Sequence, residues 1–212
     1  MSRRTAGMEA LFVGLSVLSA HTILSRTAYK SLRVIDGDTF ETTENQLVRI
    51  NGIDAPETEM CGGEKARETL GKLVMNKPLN IKVLRRDPYY RLVSDVYADG
   101  KSVAAMMLSS GNAVRRITNE EINKTELNAA QDYAKVNKIG IFGEECTQSS
   151  NPKNNKCNIK GNRRSEHTDR FYRYPGCSQY DNTVVQLHLG DMWFCSEKEA
   201  KTAGFKKGGD CL

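Results

Sequence analysis

Residues 36–57 constrain the fold of this chain more than any other stretch, because two tight turns lie there between short apolar segments. Asp36-Gly37-Asp38 and Glu44-Asn45-Gln46 are both turn sequences, and β-branched or aliphatic residues flank each of them. The pattern predicts three short antiparallel strands, at residues 32–35, 39–43 and 47–53. A hairpin of this kind needs a partner layer to bury its apolar side.

The same stretch carries charged residues at the predicted strand ends, namely Asp38, Arg49, Asp54 and Glu57. Acidic side chains at strand ends are often only solvated surface. Grouped carboxylates also suit a hard cation such as Ca²⁺. The hairpin alone leaves both interpretations open.

The pattern after the hairpin predicts a helix at 64–75, strands at 79–84 and 92–97, and helices at 102–110 and 126–136. Five strands with a helix after the third are typical of a five-stranded Greek-key barrel of the oligonucleotide-binding type, the OB-fold. We therefore predict an α+β class, mainly β, with about three helices. The apolar helix positions are interpreted as core contacts.

The chain continues beyond this barrel into a segment of different composition. We predict a barrel domain at 31–145, a linker at 146–158 rich in Ser, Asn, Pro and Lys, and a small Cys-containing C-terminal domain at 159–212. The net charge of +5 lies mostly after Cys146, so this tail could contact phosphates or be a solvated basic surface. A domain this small is expected to rely on cross-links.

Residues 1–30 have the layout of an export signal. Arg3 and Arg4 precede an apolar run from Ala10 to Ala20, and small residues follow it. The run is short for a membrane span, which needs about 20 apolar residues. The expected location is therefore secreted or periplasmic, with an uncleaved membrane anchor as the alternative.

Six cysteines follow that segment, an even number that predicts disulfides in an exported chain. They are Cys61, Cys146, Cys157, Cys177, Cys195 and Cys211. The alternative is a structural zinc site formed by the last four, with His188 as a further ligand, although the chain has no Cys-x-x-Cys pair. The short interval between Cys146 and Cys157 makes this pair the first disulfide expected.

Several blocks of the chain together resemble the staphylococcal nuclease family, over roughly residues 31 to 145. The blocks are Asp36-Gly37-Asp38-Thr39, Arg49 with Gly52-Ile53-Asp54-Ala55-Pro56-Glu57, Gly63-Glu64-Lys65-Ala66, Asp87 to Arg91, and Tyr97-Ala98-Asp99-Gly100. The resemblance implies the same barrel and Ca²⁺-dependent cleavage of phosphodiester bonds in DNA and RNA. It implies no small-molecule cofactor.

The resemblance also implies roles for individual residues. Asp38, Asp54 and the backbone carbonyl of Ala55 correspond to metal ligands, and hard oxygens of this kind suit Ca²⁺. Glu57 corresponds to the residue that activates the attacking water, while Arg49 and Arg91 correspond to the pair that grips the phosphate.

Further residues near this predicted site have less defined roles. Tyr89 corresponds to a tyrosine near the substrate, or is a partly exposed ring on a polar link. Arg115 and Arg116 could contact backbone phosphates, or form a solvated basic pair. Tyr90 stands where the family has glycine, and Pro88 stands where it has lysine. We therefore expect the shape of this loop to differ from that of the family.

Three hypotheses about function follow. The first is an exported Ca²⁺-dependent nuclease of low sequence specificity, expected as a monomer that acts on DNA, RNA or both. The second is a non-catalytic nucleic-acid-binding or adaptor module of the same fold. The third is a tail-driven, partner-binding envelope protein with a vestigial barrel. Because every charged functional position of the family is present, we favour the nuclease.

Overall fold

The computed structural model describes residues 29–120, 123–163 and 169–211, so the predicted export signal lies almost wholly outside the described residues. Within these ranges, no helix is long and apolar enough to cross a membrane. The elements of the first part of the chain are, in order, β1 (Ser31–Val34), β2 (Thr39–Thr42), β3 (Leu47–Ile50), β4 (Ile53–Asp54), α1 (Gly63–Val74), β5 (Leu79–Arg86), β6 (Leu92–Ala98), β7 (Lys101–Ser102), α2 (Val103–Ser109), β8 (Val114–Arg115) and α3 (Lys124–Val136).

The first sheet has the strand order β1-β2-β3-β6-β5, and β7 pairs with β6. Neighbouring strands are antiparallel except β3 and β6, which run parallel. Tyr29 pairs with Leu79 through two backbone hydrogen bonds of 3.1 and 2.9 Å, which join the start of the first strand to that of β5. The sheet therefore closes on itself, and the predicted five-stranded OB-fold barrel is confirmed.

The barrel core forms where inward-facing strand residues meet two helices. On α1, Ala66, Leu70 and Val74 recur every four residues and are fully buried. On α2, the hydroxyl of Ser102 accepts a hydrogen bond from the amide of Ala105 and caps the first turn. The strands contribute Phe40, Val48, Ile50, Ile53, Leu79 and Val96 to the same cluster. This packing holds the β2–β3 hairpin rigidly against the helices.

The predicted strand 47–53 is wrong in one respect, because the structure divides it into β3 and β4. Gly52 has φ +79°, a left-handed conformation that interrupts the strand and that glycine adopts at little cost. After this turn, Ile53 and Asp54 pair with Arg115 and Val114 of β8 instead of continuing the first sheet. The break directs Asp54 toward the end of the hairpin.

The C-terminal part of the chain follows a 3₁₀ turn at Gly140–Phe142 and has a second, smaller hydrophobic core. Its elements are β9 (Thr147–Gln148), β10 (Ile159–Arg163), β11 (Arg170–Arg173), β12 (Val185–Gln186), β13 (Met192–Phe194), α4 (Glu197–Thr202) and β14 (Lys206–Lys207). Four of these strands form a sheet in the order β13-β10-β11-β14, while β9 pairs with β12. The buried cluster contains Ile159, Tyr172, Phe194, Ala200 and Phe205.

All six cysteines are paired, as Cys61–Cys146, Cys157–Cys195 and Cys177–Cys211. The expected Cys146–Cys157 pair is therefore wrong, as is the zinc site. The physical reason is strand register: Ile159 lies opposite Phe194 on antiparallel neighbours, which brings Cys157 beside Cys195. Cys146 instead faces the start of α1. The predicted use of the six cysteines in disulfides is confirmed.

Candidate functional site

The guanidinium of Arg49 contacts the carboxylates of both Asp38 and Asp54, as two of its nitrogen atoms show. Arg49 lies in β3 opposite Thr39, the residue that follows Asp38. One terminal nitrogen of its guanidinium is 2.5 Å from Oδ1 of Asp38, and the other is 2.6 Å from Oδ1 of Asp54. Asp38 and Asp54 therefore converge on one point at the end of the hairpin.

Asp38 is almost completely buried and is held by three donors. Oδ1 also accepts a hydrogen bond of 2.9 Å from the Thr39 hydroxyl, and Oδ2 accepts one of 3.0 Å from the amide of Ala55. Burial raises the pKa of Asp38 to about 6, although the charge of Arg49 acts to lower it. The nearby carboxylate of Asp36 acts in the same direction as burial.

Gly37 explains how Asp38 comes so close to Ala55. A Cβ atom at position 37 would lie 2.5 Å from the Cβ of Ala55 and 2.6 Å from that of Ala66. Only glycine therefore allows the turn before β2 to pack against both α1 and the segment after β4. This contact fixes the carboxylate of Asp38 relative to the backbone of Ala55.

Arg91 is held in place by Asp87, a residue that the sequence analysis did not single out. Nε of Arg91 is 2.8 Å from Oδ2 of Asp87. The other oxygen of Asp87 accepts hydrogen bonds of 3.0 Å from the amides of Tyr89 and Arg91. Burial acts to raise the pKa of Asp87, but these hydrogen bonds outweigh it and lower the pKa. An Asp before Pro at the start of a turn was the available signal.

Four arginines, including Arg49 and Arg91, line one open cavity of about 280 Å³. The other two are Arg85 and Arg116. Tyr89 also lines the cavity, and the guanidinium of Arg91 lies 5.3 Å from the centre of its ring. The two arginines predicted to grip a phosphate therefore line the same cavity.

Arg115 and Arg116 occupy different environments despite being neighbours. Arg116 is exposed, and its guanidinium lies 3.6 Å from Oδ1 of Asp54. Arg115 donates hydrogen bonds to the carbonyl of Gly52 and to the side chain of Asn128, at 3.2 and 3.0 Å. Arg115 thus connects β8 with the turn behind the cavity and with α3, whereas Arg116 faces the cavity.

Glu57 lies in the turn after β4, and its side chain is exposed. Its carbonyl accepts a hydrogen bond of 2.9 Å from Met60. Gly63, at the start of α1, packs against the same carbonyl so closely that a Cβ atom would collide with it. Cys61, which is bonded to Cys146, lies between these two contacts. The backbone of Glu57 is therefore fixed, while its side chain meets solvent.

The oxygen atoms of this cluster suit a hard cation. The structure groups no three His, Cys, Asp or Glu side chains as a metal cluster in the part that it describes. However, Asp38 and Asp54 meet at one guanidinium, and Asp36 adds a third negative charge near the buried Asp38. These two carboxylates, with the carbonyl of Ala55 as the third predicted ligand, are oxygen donors of the kind that Ca²⁺ binds.

Comparison with known proteins identifies the family. The family described as "Staphylococcal nuclease homologue" matches residues 47–144. The chain is 34% identical over 105 residues to "Staphylococcal-like nuclease CAN1" of Arabidopsis thaliana, a match that covers 50% of this chain and 30% of that protein. It is 35% identical over 86 residues to an "Uncharacterized endonuclease" of Escherichia coli O157:H7, covering 39% of this chain and 56% of that protein.

One relative matches over a longer stretch of the chain. "Succinoglycan biosynthesis protein ExoI" of Rhizobium meliloti (strain 1021) is 34% identical over 155 residues, which cover 66% of this chain and 76% of that protein. By contrast, the matches to two of the plant proteins span only about a third of their length. The chain belongs to the staphylococcal nuclease homologue family.

Proposed function

We propose that the protein is an exported, Ca²⁺-dependent nuclease that hydrolyses phosphodiester bonds of DNA, RNA or both with low sequence specificity. One observation carries this proposal. Arg49 contacts both predicted metal-binding carboxylates and also lines, with Arg91, the cavity of about 280 Å³. The predicted cation site and the phosphate clamp are thus adjacent, an arrangement that suits metal-assisted hydrolysis of phosphodiester bonds.

The arginines would bind the scissile phosphate. Guanidinium groups bind phosphate oxygens in pairs, and negative charge increases on those oxygens in the transition state. Asp87 holds Arg91 in place before substrate arrives, so little ordering is needed on binding. Because every nucleotide carries the same phosphate, contacts of this kind give little discrimination between sequences.

The remaining residues would supply the metal and the nucleophile. Asp38, Asp54 and the carbonyl of Ala55 are the proposed ligands, and a bound Ca²⁺ would supply positive charge beside the phosphate oxygens. Glu57 is proposed to orient the attacking water and accept its proton, and its exposed side chain can reach water. Tyr89 lines the cavity and can contact the sugar or base of the bound nucleotide.

Export is supported by the cysteines and by the sequence of the N-terminal segment. All six cysteines are paired, and disulfides persist in oxidising compartments. We propose that the protein is secreted or periplasmic. The alternative is that an uncleaved signal anchors it to the membrane.

The decisive experiment uses the purified mature protein with single-stranded DNA, duplex DNA and RNA, each in Ca²⁺ and in chelator. We expect cleavage only in Ca²⁺. Glu57→Gln should lower the rate about 100-fold or more. Glu59→Gln is the matched control, since Glu59 is an exposed acidic neighbour on the same turn, and it should retain activity. Intact substrates throughout, with binding by a folded protein, would instead identify a non-catalytic binding module.

A further inference from the structure

The turn that holds Arg91 presents two tyrosine rings to solvent. Tyr89 is 77% exposed and Tyr90 is 81% exposed, although aromatic rings of this size are usually at least half buried. Tyr89 lines the arginine cavity. Tyr90 lies between Tyr89 and Arg91 in the sequence, and both of these neighbours line the cavity.

The backbone of Tyr90 makes its exposure more informative. Five residues other than glycine have positive φ in the described part of the chain, and Tyr90, at φ +62°, is the one aromatic residue among them. Glycine would adopt this conformation without strain, whereas a bulky side chain does so at a cost. The ring makes no buried contact that would offset this cost, so packing does not account for tyrosine at this position.

Hydrogen bonds within the turn also fix the backbone of Tyr90. The amide of Tyr90 donates to the carbonyl of Asp87 at 2.9 Å, and its carbonyl accepts a hydrogen bond of 3.0 Å from Arg86. Arg86 is itself bonded to the side chain of Gln46 at 3.0 Å. An exposed aromatic ring on a fixed backbone, with Arg86 and Arg91 close by, resembles the arrangement with which proteins bind single-stranded nucleic acids, because bases stack on the ring while cations contact the phosphates.

We propose that Tyr90 is a second base-stacking platform, which binds the nucleotide adjacent to the one held in the arginine cavity and gives the site a preference for unpaired strands. This inference rests on the proposed nuclease function and extends it. A paired base is covered on both faces by its neighbours, so only a single strand can place a base on the ring. Tyr90 is thus a specificity residue for strandedness and not for sequence.

The test measures binding of the full chain in chelator, where cleavage does not interfere. The probes are a single-stranded oligonucleotide that contains 2-aminopurine and a blunt duplex of the same sequence. Tyr90→Gly removes the ring and relieves the backbone strain, so a folding defect is not expected. Tyr90→Phe keeps the ring. Tyr133→Ala is the control, because Tyr133 is another exposed tyrosine, on α3.

We expect Tyr90→Gly to weaken binding of the single strand about tenfold, with less than about a twofold change for the duplex. Tyr90→Phe and Tyr133→Ala should bind the single strand as the parent does. Equal affinity of Tyr90→Gly and the parent for the single strand would overturn the proposal, as would equal losses on single strand and duplex. If the parent binds but does not cleave in Ca²⁺, the nuclease function fails while the effect of Tyr90 is still measured.

Discussion

Nη1 of Arg49 lies 2.5 Å from Oδ1 of Asp38, and the same guanidinium reaches Asp54 with its other terminal nitrogen. Burial acts to lower the pKa of Arg49, but Asp38 and Asp54 outweigh it and raise the pKa, so the group stays charged. A single guanidinium thus positions two carboxylates, one in the turn before β2 and one in β4. Arg49 therefore holds the two predicted metal-binding carboxylates together and also presents positive charge to the cavity.

This double task predicts that Arg49→Lys is not conservative. One ammonium group is a point charge and cannot reproduce the fork that spans two carboxylates. We expect kcat/KM on single-stranded DNA to fall about 100-fold or more, with the fold retained by circular dichroism. Arg67→Lys is the matched control, because Arg67 pairs with one carboxylate, Glu64, on the exposed side of α1. Full activity of Arg49→Lys would contradict the role assigned here.

The Cys61–Cys146 disulfide is predicted to support activity as well as stability. It joins residues 85 apart, and chain-entropy estimates for a loop of this size give about 4.6 kcal/mol of stabilisation. It also fixes the turn between Glu57 and α1. We expect the double variant Cys61→Ser/Cys146→Ser to unfold more easily and to show a lower kcat, measured by urea unfolding and by steady-state kinetics.

The Cys177–Cys211 disulfide provides the control, because it lies within the C-terminal part of the chain. Removing it should destabilise that part while the barrel keeps its kcat. A similar fall in kcat for both double variants would show that the effect on activity is not specific to the Glu57 turn.

His188 is predicted to make stability depend on pH. Its ring is buried, Nδ1 has no hydrogen-bond partner, and burial lowers its pKa to about 4. In the unfolded chain His188 takes up a proton as the pH falls below the ordinary pKa of 6.5, whereas in the folded chain it stays neutral until about pH 4. The contribution of His188 to the free energy of unfolding is therefore largest above pH 6.5. It is lost as the pH falls toward 4, by about 3 kcal/mol in all.

Urea unfolding followed by the fluorescence of Trp193 measures this effect, since Trp193 is the single tryptophan and lies in β13. We expect the free energy of unfolding of the parent to fall relative to that of His188→Gln between about pH 6.5 and about pH 4.5; this comparison cancels the contribution of Asp38, whose raised pKa acts in the opposite direction in both proteins. Identical pH dependence in the two proteins would show that another group is responsible.

The barrel could be predicted from the sequence because its signals are local. Apolar alternation, turn residues and the four-residue spacing of Ala66, Leu70 and Val74 are all properties of neighbouring residues. The break at Gly52 was missed because apolar residues recur from Leu47 to Ile53, although Asn51-Gly52 is itself a turn sequence; the φ of Gly52 and the pairing with β8 show the turn. Disulfide pairing was missed because it depends on register between distant strands.

The site residues were predictable as a group, whereas their connections were not. Resemblance placed Asp38, Asp54 and Arg49 in one site, but the contact of one guanidinium with both carboxylates follows from the tertiary structure. Asp87 lies in one of the blocks that resemble the family, but it was given no role of its own because an acidic residue in a turn is usually solvated. Its function became visible only through its contacts with Arg91 and the turn amides.

Arg116 is predicted to contact a backbone phosphate of the substrate. It is exposed, lines the cavity, and lies near Asp54 without a tight ion pair. Removing one phosphate contact to a single strand should reduce the slope of log affinity against log salt by about 0.7 and weaken binding at low salt. Binding of Arg116→Ala to single-stranded DNA over a range of salt concentrations measures this slope. Arg33→Ala is the control, since Arg33 is equally exposed but lies on β1 beside Glu41, so the same change in net charge should leave the slope unaltered. Equal slopes for the parent and Arg116→Ala would exclude the phosphate contact, and a parallel change in both variants would indicate a general effect of charge.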